Sequence, residues 1–158
     1  MNTISTNKAG SDSINVFLIG NNPIELSNIY EKLKAIKNKT YNAEIGFDLK
    51  GVYKKIMKFH PSCILIDDNL ERSYLKSLLN KLSSWSKTRD IPIAILKNSN
   101  NGQSYLIGAQ EFILKDGITS EALSKSILNS IRLRNMHKYL YTSYKKRQSQ
   151  FLNFLSNN

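Results

Sequence analysis

The sharpest hydrophobic pattern in the chain runs from Cys63 to Leu70, where four apolar residues lead without alternation into Asp67 and Asp68. An unbroken apolar run is typical of a strand covered on both faces, and the acids indicate where that strand surfaces. After Leu70 the apolar positions change to helical spacing, at Leu75, Leu78, Leu79, Leu82 and Trp85. The pattern predicts a buried strand, an acidic tip and a helix.

Four other segments have the character of strands: residues 14–19, 43–47, 91–96 and 111–114. Helical patterns separate them, so the chain alternates between strand and helix. Such alternation indicates an α/β domain with a doubly wound parallel sheet, because parallel neighbours need crossover connections. In this architecture ligands bind beyond the C-terminal ends of the strands. We therefore expect polar residues that follow the strands to meet at one rim of the sheet.

The intervening helices have recognisable starts. Pro23 suits the first position of a helix, with Asn22 as its cap. Apolar residues at steps of three and four then predict one buried face, at Leu26, Ile29, Tyr30, Leu33 and Ile36. Asp48 is a candidate cap for a second helix, whose apolar positions are Val52, Ile56 and Phe59. Residues 104–109 allow about two helical turns at most.

The last helix is predicted to begin after Thr119, a good cap, and no breaker follows to the end of the chain. From Ala122 to Asn158 there is no acidic residue but there are seven Lys and Arg. An apolar stripe recurs in the second half of this helix, at Met136, Leu140, Tyr144, Phe151 and Leu155. The stripe predicts a helical extension over residues 134–158 for self-association, for folding back or for a partner protein. The alternative is a frayed basic tail.

Composition narrows the possibilities. A chain of 158 residues suits one domain, here residues 14–133, preceded by a polar, disordered arm at residues 1–13. No apolar run is long enough for a membrane span and no secretory leader appears, so we expect a cytoplasmic protein. Cys63 is the single cysteine, and His60 and His137 are too scattered for a zinc site. The net charge of +11 reflects a general richness in Lys and Asn, and nucleic-acid binding is not expected.

Residues at the strand ends carry a family resemblance. Asp67 ends the third strand in the run Ile-Leu-Ile-Asp, Lys97 follows the fourth strand, and Lys115 follows the fifth, with Phe112 three residues before it. In this order and spacing, and with Gly-Ala before the fifth strand, the chain resembles the receiver domain of two-component response regulators. The resemblance covers about residues 14–133.

The resemblance implies a flavodoxin-like (βα)5 fold with five parallel strands in the order 2-1-3-4-5. It also implies that Asp67 is the phosphoacceptor candidate, that Lys115 is the rim lysine and that Phe112 is the switch aromatic. Each assignment has a plainer alternative. Asp67 is otherwise a structural acid paired with Lys115, Lys97 a solvated lysine, and Phe112 a core residue. Asp68 is expected to point away from the rim cavity, because adjacent strand residues face opposite ways.

The departures from the family lie at the rim. Gly20 and Asn21 stand where the family has the acidic pair that holds Mg²⁺, and Lys97 stands where it has Ser or Thr. Asp116 replaces the proline that follows the rim lysine, and the segment between Lys97 and Lys115 is about one helical turn shorter than in the family. Mg²⁺ is a hard cation held by carboxylates, so a site with these neutral residues should bind it poorly. Without a metal, Asp67 is expected to face both lysines.

Two functional hypotheses follow. The first is an atypical receiver-like module that acts through protein contacts, is not an enzyme and needs no cofactor. The second is a working phosphoacceptor that takes a phosphoryl group on Asp67 from a histidine kinase and uses Mg²⁺. The loss of the acidic pair favours the first, because phosphoryl transfer depends on metal and cationic stabilisation of negative charge.

Overall fold

The computed structural model describes residues 12–47, 50–98, 108–109 and 111–157. In this part of the chain, five parallel strands form one sheet with the order β2-β1-β3-β4-β5. The strands are β1 (Ile14–Ile19), β2 (Tyr41–Gly46), β3 (Cys63–Asp67), β4 (Ile93–Lys97) and β5 (Glu111–Leu114). The predicted flavodoxin-like sheet and its strand order are confirmed.

Helices occupy the connections between β1 and β4, and a fourth helix follows β5. They are α1 (Pro23–Lys34), α2 (Val52–Phe59), α3 (Arg72–Ser84) and the long α4 (Ser120–Ser156). The side chain of Asn22 caps α1, accepting hydrogen bonds from the backbone N–H groups of Ile24 and Glu25. The hydroxyl of Thr119 caps α4 by accepting from the N–H of Ala122. These two caps agree with the sequence pattern, because short polar side chains satisfy the first free N–H groups of a helix.

The core lies on both faces of the sheet. Alternate strand residues face opposite ways, so Leu18 and Leu65 pack under α1 and α4, whereas Phe17 and Ile66 pack under α2 and α3. All five residues of β3 are buried, which explains its unbroken apolar run. A buried hydrogen bond of 2.6 Å between the hydroxyls of Tyr41 and Ser124 joins β2 to α4. Asp67, at the end of the central strand β3, is therefore held in a buried part of the fold.

Several predicted boundaries were wrong. Strand β2 begins at Tyr41, two residues early, because Tyr41 and Asn42 pair with the first residues of β1. Strand β4 begins at Ile93, since Pro92 has no N–H to donate and contributes only its carbonyl, which accepts from Ile64.

Helix α3 ends one residue before Trp85, which was expected on its apolar stripe. The backbone of Trp85 is extended. The Thr88 hydroxyl donates a hydrogen bond of 2.7 Å to the backbone carbonyl of Leu82, near the end of the helix. The indole ring instead packs edge-on against Tyr53. The predicted cap Asp48, nearly all of the predicted helix at residues 104–109 and most of the predicted arm at residues 1–13 lie outside the described residues.

Helix α4 continues through residue 133 without a break, so the predicted domain and its C-terminal extension share one helix of 37 residues. Its first turns carry the buried residues Leu123, Ser124, Ile127 and Ser130. None of the helices in the described ranges combines the length and the apolar content that crossing a bilayer requires.

Candidate functional site

The candidate site lies at the rim where β3 and β5 end. Asp67 is the last residue of β3 and is fully buried. Lys115 directly follows β5, and its backbone N–H bonds to the carbonyl of Lys97 at 2.9 Å. That bond extends the pairing of β4 with β5 by one residue. The sheet itself therefore aims the Lys115 side chain at the end of the central strand.

Lys115 binds the Asp67 carboxylate through both oxygens. Its Nζ lies 2.9 Å from Oδ1 and 2.9 Å from Oδ2. The backbone N–H of Asn69 also donates to Oδ1 at 2.9 Å. The ammonium of Lys115 is itself largely buried, so this is an ion pair in a poorly hydrated setting. Such a pair contributes little net stability, but losing one partner is costly because the other charge is left alone.

A third charged group completes the cluster, and the sequence pattern did not single it out. Glu25, in the first turn of α1, accepts a hydrogen bond from Lys115 Nζ through Oε2 at 2.6 Å. The hydrogen bond from Lys115 lowers the pKa of Glu25, despite an opposing effect of burial. Burial would lower the pKa of Lys115, but the hydrogen bonds that it donates to Glu25 and Asp67, with the negative charges of these groups, outweigh burial and raise that pKa. One ammonium therefore serves two carboxylates.

Asparagine side chains tie the neighbouring loops to this cluster. The Asn69 side-chain N–H donates to Glu25 Oε2 at 3.1 Å, and Asn69 Oδ1 accepts from the Asn98 amide. Asn21, one of the residues that replace the acidic pair, donates to the Asn69 carbonyl at 3.4 Å. The loops after β1, β3 and β4 are thereby linked by neutral amides around one ion cluster.

Gly20 packs so closely that its replacement by a larger residue matters. A Cβ added there would lie 3.0 Å from the Cβ of Asp67 and 3.0 Å from a methyl group of Leu26. Nearly all real Cβ contacts are longer, so one of these neighbours would have to move. A carboxylate at position 20 would therefore require rearrangement of the site, whereas position 21 is exposed.

Asp68 occupies a different environment from Asp67. It is half-buried, and its Oδ1 atom is buried without a hydrogen-bond partner in the part of the chain that the structure describes. Burial raises the pKa of Asp68, and this effect is partly offset by the backbone N–H of Asn98 and the charge of Lys115. The two neighbouring acids thus differ. The carboxylate of Asp67 pairs with Lys115, whereas the nearby charges and hydrogen bonds offset the loss of hydration of the Asp68 carboxylate only in part.

Lys97 and Phe112 meet on the α3 side of the sheet. The Lys97 ammonium lies 5.4 Å from the centre of the Phe112 ring, which packs against the core under α2 and α3. The sequence prediction that Asp67 faces both lysines therefore needs correction, because Lys115 alone forms its salt bridge among the described residues. The reason is alternation: Lys97 shares the face of Ile95 and Phe112, opposite to that of its neighbour Leu96.

A cleft of about 320 Å³ opens beside the ion cluster. It is lined by residues of α1 and of the loops after β4 and β5, namely Glu25, Asn28, Ile29, Lys32, Asn98, Lys115 and Asp116. Within the described residues, no three His, Cys, Asp or Glu side chains converge as metal ligands. A cation entering this cleft would meet the Lys115 ammonium, which already binds Glu25 and Asp67. The oxygen donors present thus fit Mg²⁺ only if Lys115 is displaced.

The second half of α4 leaves the domain. Every described residue from Asn135 onward is exposed except Ser143, which is half-buried, so the extension does not fold back onto the sheet. The stripe predicted from sequence is solvent-facing throughout, at Met136, Leu140, Tyr144, Phe151 and Leu155. Four further large apolar or aromatic side chains are exposed there, which the stripe did not include: Tyr139, Tyr141, Leu152 and Phe154.

Neither a protein-family model nor a curated protein matches the sequence. Solved structures do match the fold. A sensor protein from Polaromonas sp. JS666 is 15% identical, with a TM-score of 0.64, over 77% of this chain and 98% of that one. A response regulator from Desulfuromonas acetoxidans is 17% identical, with a TM-score of 0.60, over 76% of this chain and 98% of that one.

A third similar structure is the receiver domain of a sensor histidine kinase from Pseudomonas aeruginosa PAO1, which holds a magnesium ion in its active-site cleft. It is 17% identical, with a TM-score of 0.61, over 75% of this chain and 98% of that one. The matches span nearly the whole of each receiver-sized chain but leave part of this chain uncovered. The chain therefore has the fold of a response-regulator receiver domain.

Proposed function

We propose that this protein is a receiver-like signalling module that acts through protein contacts, without conventional Mg²⁺-dependent phosphorylation of Asp67. The single observation that carries the proposal is the position of Lys115, whose ammonium bonds both oxygens of Asp67 and one oxygen of Glu25. The chain is not itself an enzyme under this proposal. It works in the cytoplasm as a fixed surface for other proteins.

The charges at the rim support this proposal. A phosphoryl donor is negatively charged, and catalysis of its transfer requires cations around the phosphoryl oxygens. Here Lys115 already pairs with Asp67 and Glu25, so an incoming phosphate would have to compete with two carboxylates for this cation. Asp67 is also fully buried, and each of its oxygens accepts at least one hydrogen bond. To attack phosphorus, the carboxylate must first lose some of these hydrogen bonds.

A second candidate is a phosphoacceptor that receives its phosphoryl group on Asp67 from a histidine kinase. Two observations favour it. Asp67 lies at the C-terminal end of the central strand, the rim expected for such chemistry, and the Pseudomonas aeruginosa receiver domain of the same fold holds Mg²⁺ in its cleft. Under this candidate, Mg²⁺ or the donor displaces Lys115 from Glu25 and opens the cleft beside it.

Metal titration and phosphodonor treatment of the purified chain distinguish the two. Under our proposal, Mg²⁺ at millimolar concentration gives no saturable change, and acetyl phosphate or phosphoramidate leaves no acid-labile phosphate on the protein. A conventional receiver domain treated in parallel serves as the positive control. An acid-labile adduct that disappears in Asp67→Asn but persists in the matched Asp68→Asn variant would overturn the proposal in favour of the second candidate.

A further inference from the structure

The exposed part of α4 is a projecting amphipathic helix. At 1.5 Å per residue, residues 136–156 extend about 30 Å beyond the part of α4 that packs on the sheet. Successive side chains turn by about 100°, which places six large apolar side chains within an arc of about 100°. They are Met136, Leu140, Tyr144, Phe151, Phe154 and Leu155, each at least 48% exposed. An exposed apolar face of this size is typical of a surface that binds a protein or a membrane.

The positive charge of this helix indicates that its partner is negatively charged. No acidic residue occurs after Glu121, whereas Lys138, Lys145 and Lys146 lie outside the apolar arc and Arg147 lies within it. A second copy would bring the same positive charges and no carboxylate to pair with them, although paired helices are normally matched by opposite charges beside the seam. Arg147 also interrupts the apolar repeat that a pair of helices would need. A surface rich in negative charge is the complementary partner.

We infer that residues 136–156 form an interfacial helix, which lies on an anionic lipid surface without crossing it. Apolar residues on one face and Lys on the other, together with aromatic residues, are the features of such helices. Tyr139, Tyr141 and Tyr144 are exposed and carry an apolar ring with a polar tip, which suits the headgroup boundary. The long stem of Arg147 can lie among acyl chains while its guanidinium reaches the phosphates.

Basic side chains are also found where the extension begins. A cavity of about 450 Å³ there is lined by Arg89, Arg134, His137 and Lys138, with Asp90 as the one acid among its lining residues. Among the described residues, the Nε atom of Arg134 is buried without a hydrogen-bond partner, and the Lys138–Asp90 pair is long, at 3.7 Å, and exposed. An anionic headgroup is chemically suited to this cluster. The inference goes beyond the proposed function and does not depend on the state of Asp67.

Co-sedimentation of the full chain with lipid vesicles tests the inference. The probes are vesicles of phosphatidylcholine alone and of phosphatidylcholine mixed with phosphatidylglycerol. Binding is expected to be on the order of a hundredfold stronger to the mixed vesicles, because several Lys and Arg approach the anionic surface. It should weaken as salt is added, since the attraction is screened.

Paired variants separate the apolar and charged contributions. Leu140→Gln with Phe151→Gln should reduce binding to the mixed vesicles at least about tenfold, because apolar insertion is lost. Lys145→Gln with Lys146→Gln should give a similar reduction, whereas Lys54→Gln with Lys55→Gln, an exposed pair on α2, should leave binding unchanged. Circular dichroism verifies that each variant remains folded.

Three outcomes would overturn the inference. One is equal binding to both kinds of vesicle, and another is loss of binding in the α2 control. The third is failure to bind either kind of vesicle, in whatever oligomeric state the protein has. Light scattering determines that state, and it could show a dimer that the variant Leu140→Gln with Phe151→Gln dissociates. That dimer would assign the apolar face to self-association. Asp67→Asn should bind vesicles like the natural chain, so this result is independent of the phosphorylation test.

Discussion

Lys115 joins two carboxylates that are 42 residues apart in sequence: its Nζ lies 2.9 Å from Asp67 Oδ1 and 2.6 Å from Glu25 Oε2. The contact fastens the start of α1 to the ends of β3 and β5. Because Asp67 is fully buried, removing the Lys115 ammonium should cost stability.

Lys115→Met should destabilise the protein by about 3–5 kcal/mol, because it leaves the fully buried Asp67 carboxylate without its cation. The double variant Lys115→Met with Asp67→Asn should recover most of that loss, since the remaining buried group is neutral. Urea unfolding followed by circular dichroism measures both. Lys125→Met, at an exposed position of α4, is the matched control and should change stability little. A Lys115→Met loss as small as the control's would contradict the buried ion pair.

Glu25→Gln should cost less than about 1 kcal/mol at neutral pH, because the Glu25 side chain is 36% exposed and solvent screens its pairing with Lys115. The pKa of Glu25 is lowered in the folded state, so its contribution is present above the ordinary value of 4.5 and is lost as pH falls through the folded value. The difference between natural chain and variant should therefore shrink in acid. Glu31→Gln, on the same helix and exposed, is the matched control for loss of a surface carboxylate.

The fold was predictable because its signals are local. The unbroken run before Asp67, the caps Asn22 and Thr119 and the alternation of strand with helix each depend on a few neighbouring residues. Together they predicted a doubly wound parallel sheet, and the family resemblance supplied the order of strands that the structure has. The first and last residues of a strand were less predictable where they depend on pairing with another strand. Tyr41 joins β2 because it lies beside Ile14, and its own neighbours in sequence do not indicate this.

The candidate site was only partly predictable for the same reason. Asp67 and Lys115 follow buried strands, so their meeting at one rim could be inferred from strand order. Glu25 could not be found this way, because an acid in the first turn of a helix is common for its effect on the helix dipole alone. Its bond to Lys115 spans 90 residues and depends on how α1 packs. The direction of Lys97 likewise depends on the register of β4 against β5.

Asp68→Asn should stabilise the protein slightly at neutral pH, by less than about 1 kcal/mol, because it removes a partly buried charge with an unpaired oxygen. Burial raises the pKa of Asp68 in the folded state, so the penalty applies where the group is ionised and disappears when it is protonated. The gain should therefore fade as pH drops towards the ordinary value of 3.8. Thermal unfolding at several pH values measures it. A gain that is constant across this range would point to a cause other than charge.

Restoring acids to the rim should separate steric from chemical obstacles to metal binding. Gly20→Ala should cost about 1–3 kcal/mol, since the new Cβ would lie 3.0 Å from Asp67 and Leu26 in a packed region. Asn21→Asp meets no such limit because position 21 is exposed. It adds a carboxylate near Glu25 and Asp67, and Mg²⁺ prefers such ligands. We therefore expect Asn21→Asp to gain Mg²⁺ binding at millimolar concentration, and Asn21→Asp with Lys97→Thr to retain it.

Isothermal titration with Mg²⁺, repeated with Ca²⁺, measures this gain, and Asn80→Asp, at an exposed position of α3, serves as the matched control for added negative charge. The control should bind Mg²⁺ no better than the natural chain, because its new carboxylate lies on the helix and not on the loop after β1. If the natural chain binds as tightly as Asn21→Asp, Lys115 does not block the metal. The main physical objection to Asp67 as a phosphoacceptor would then be gone.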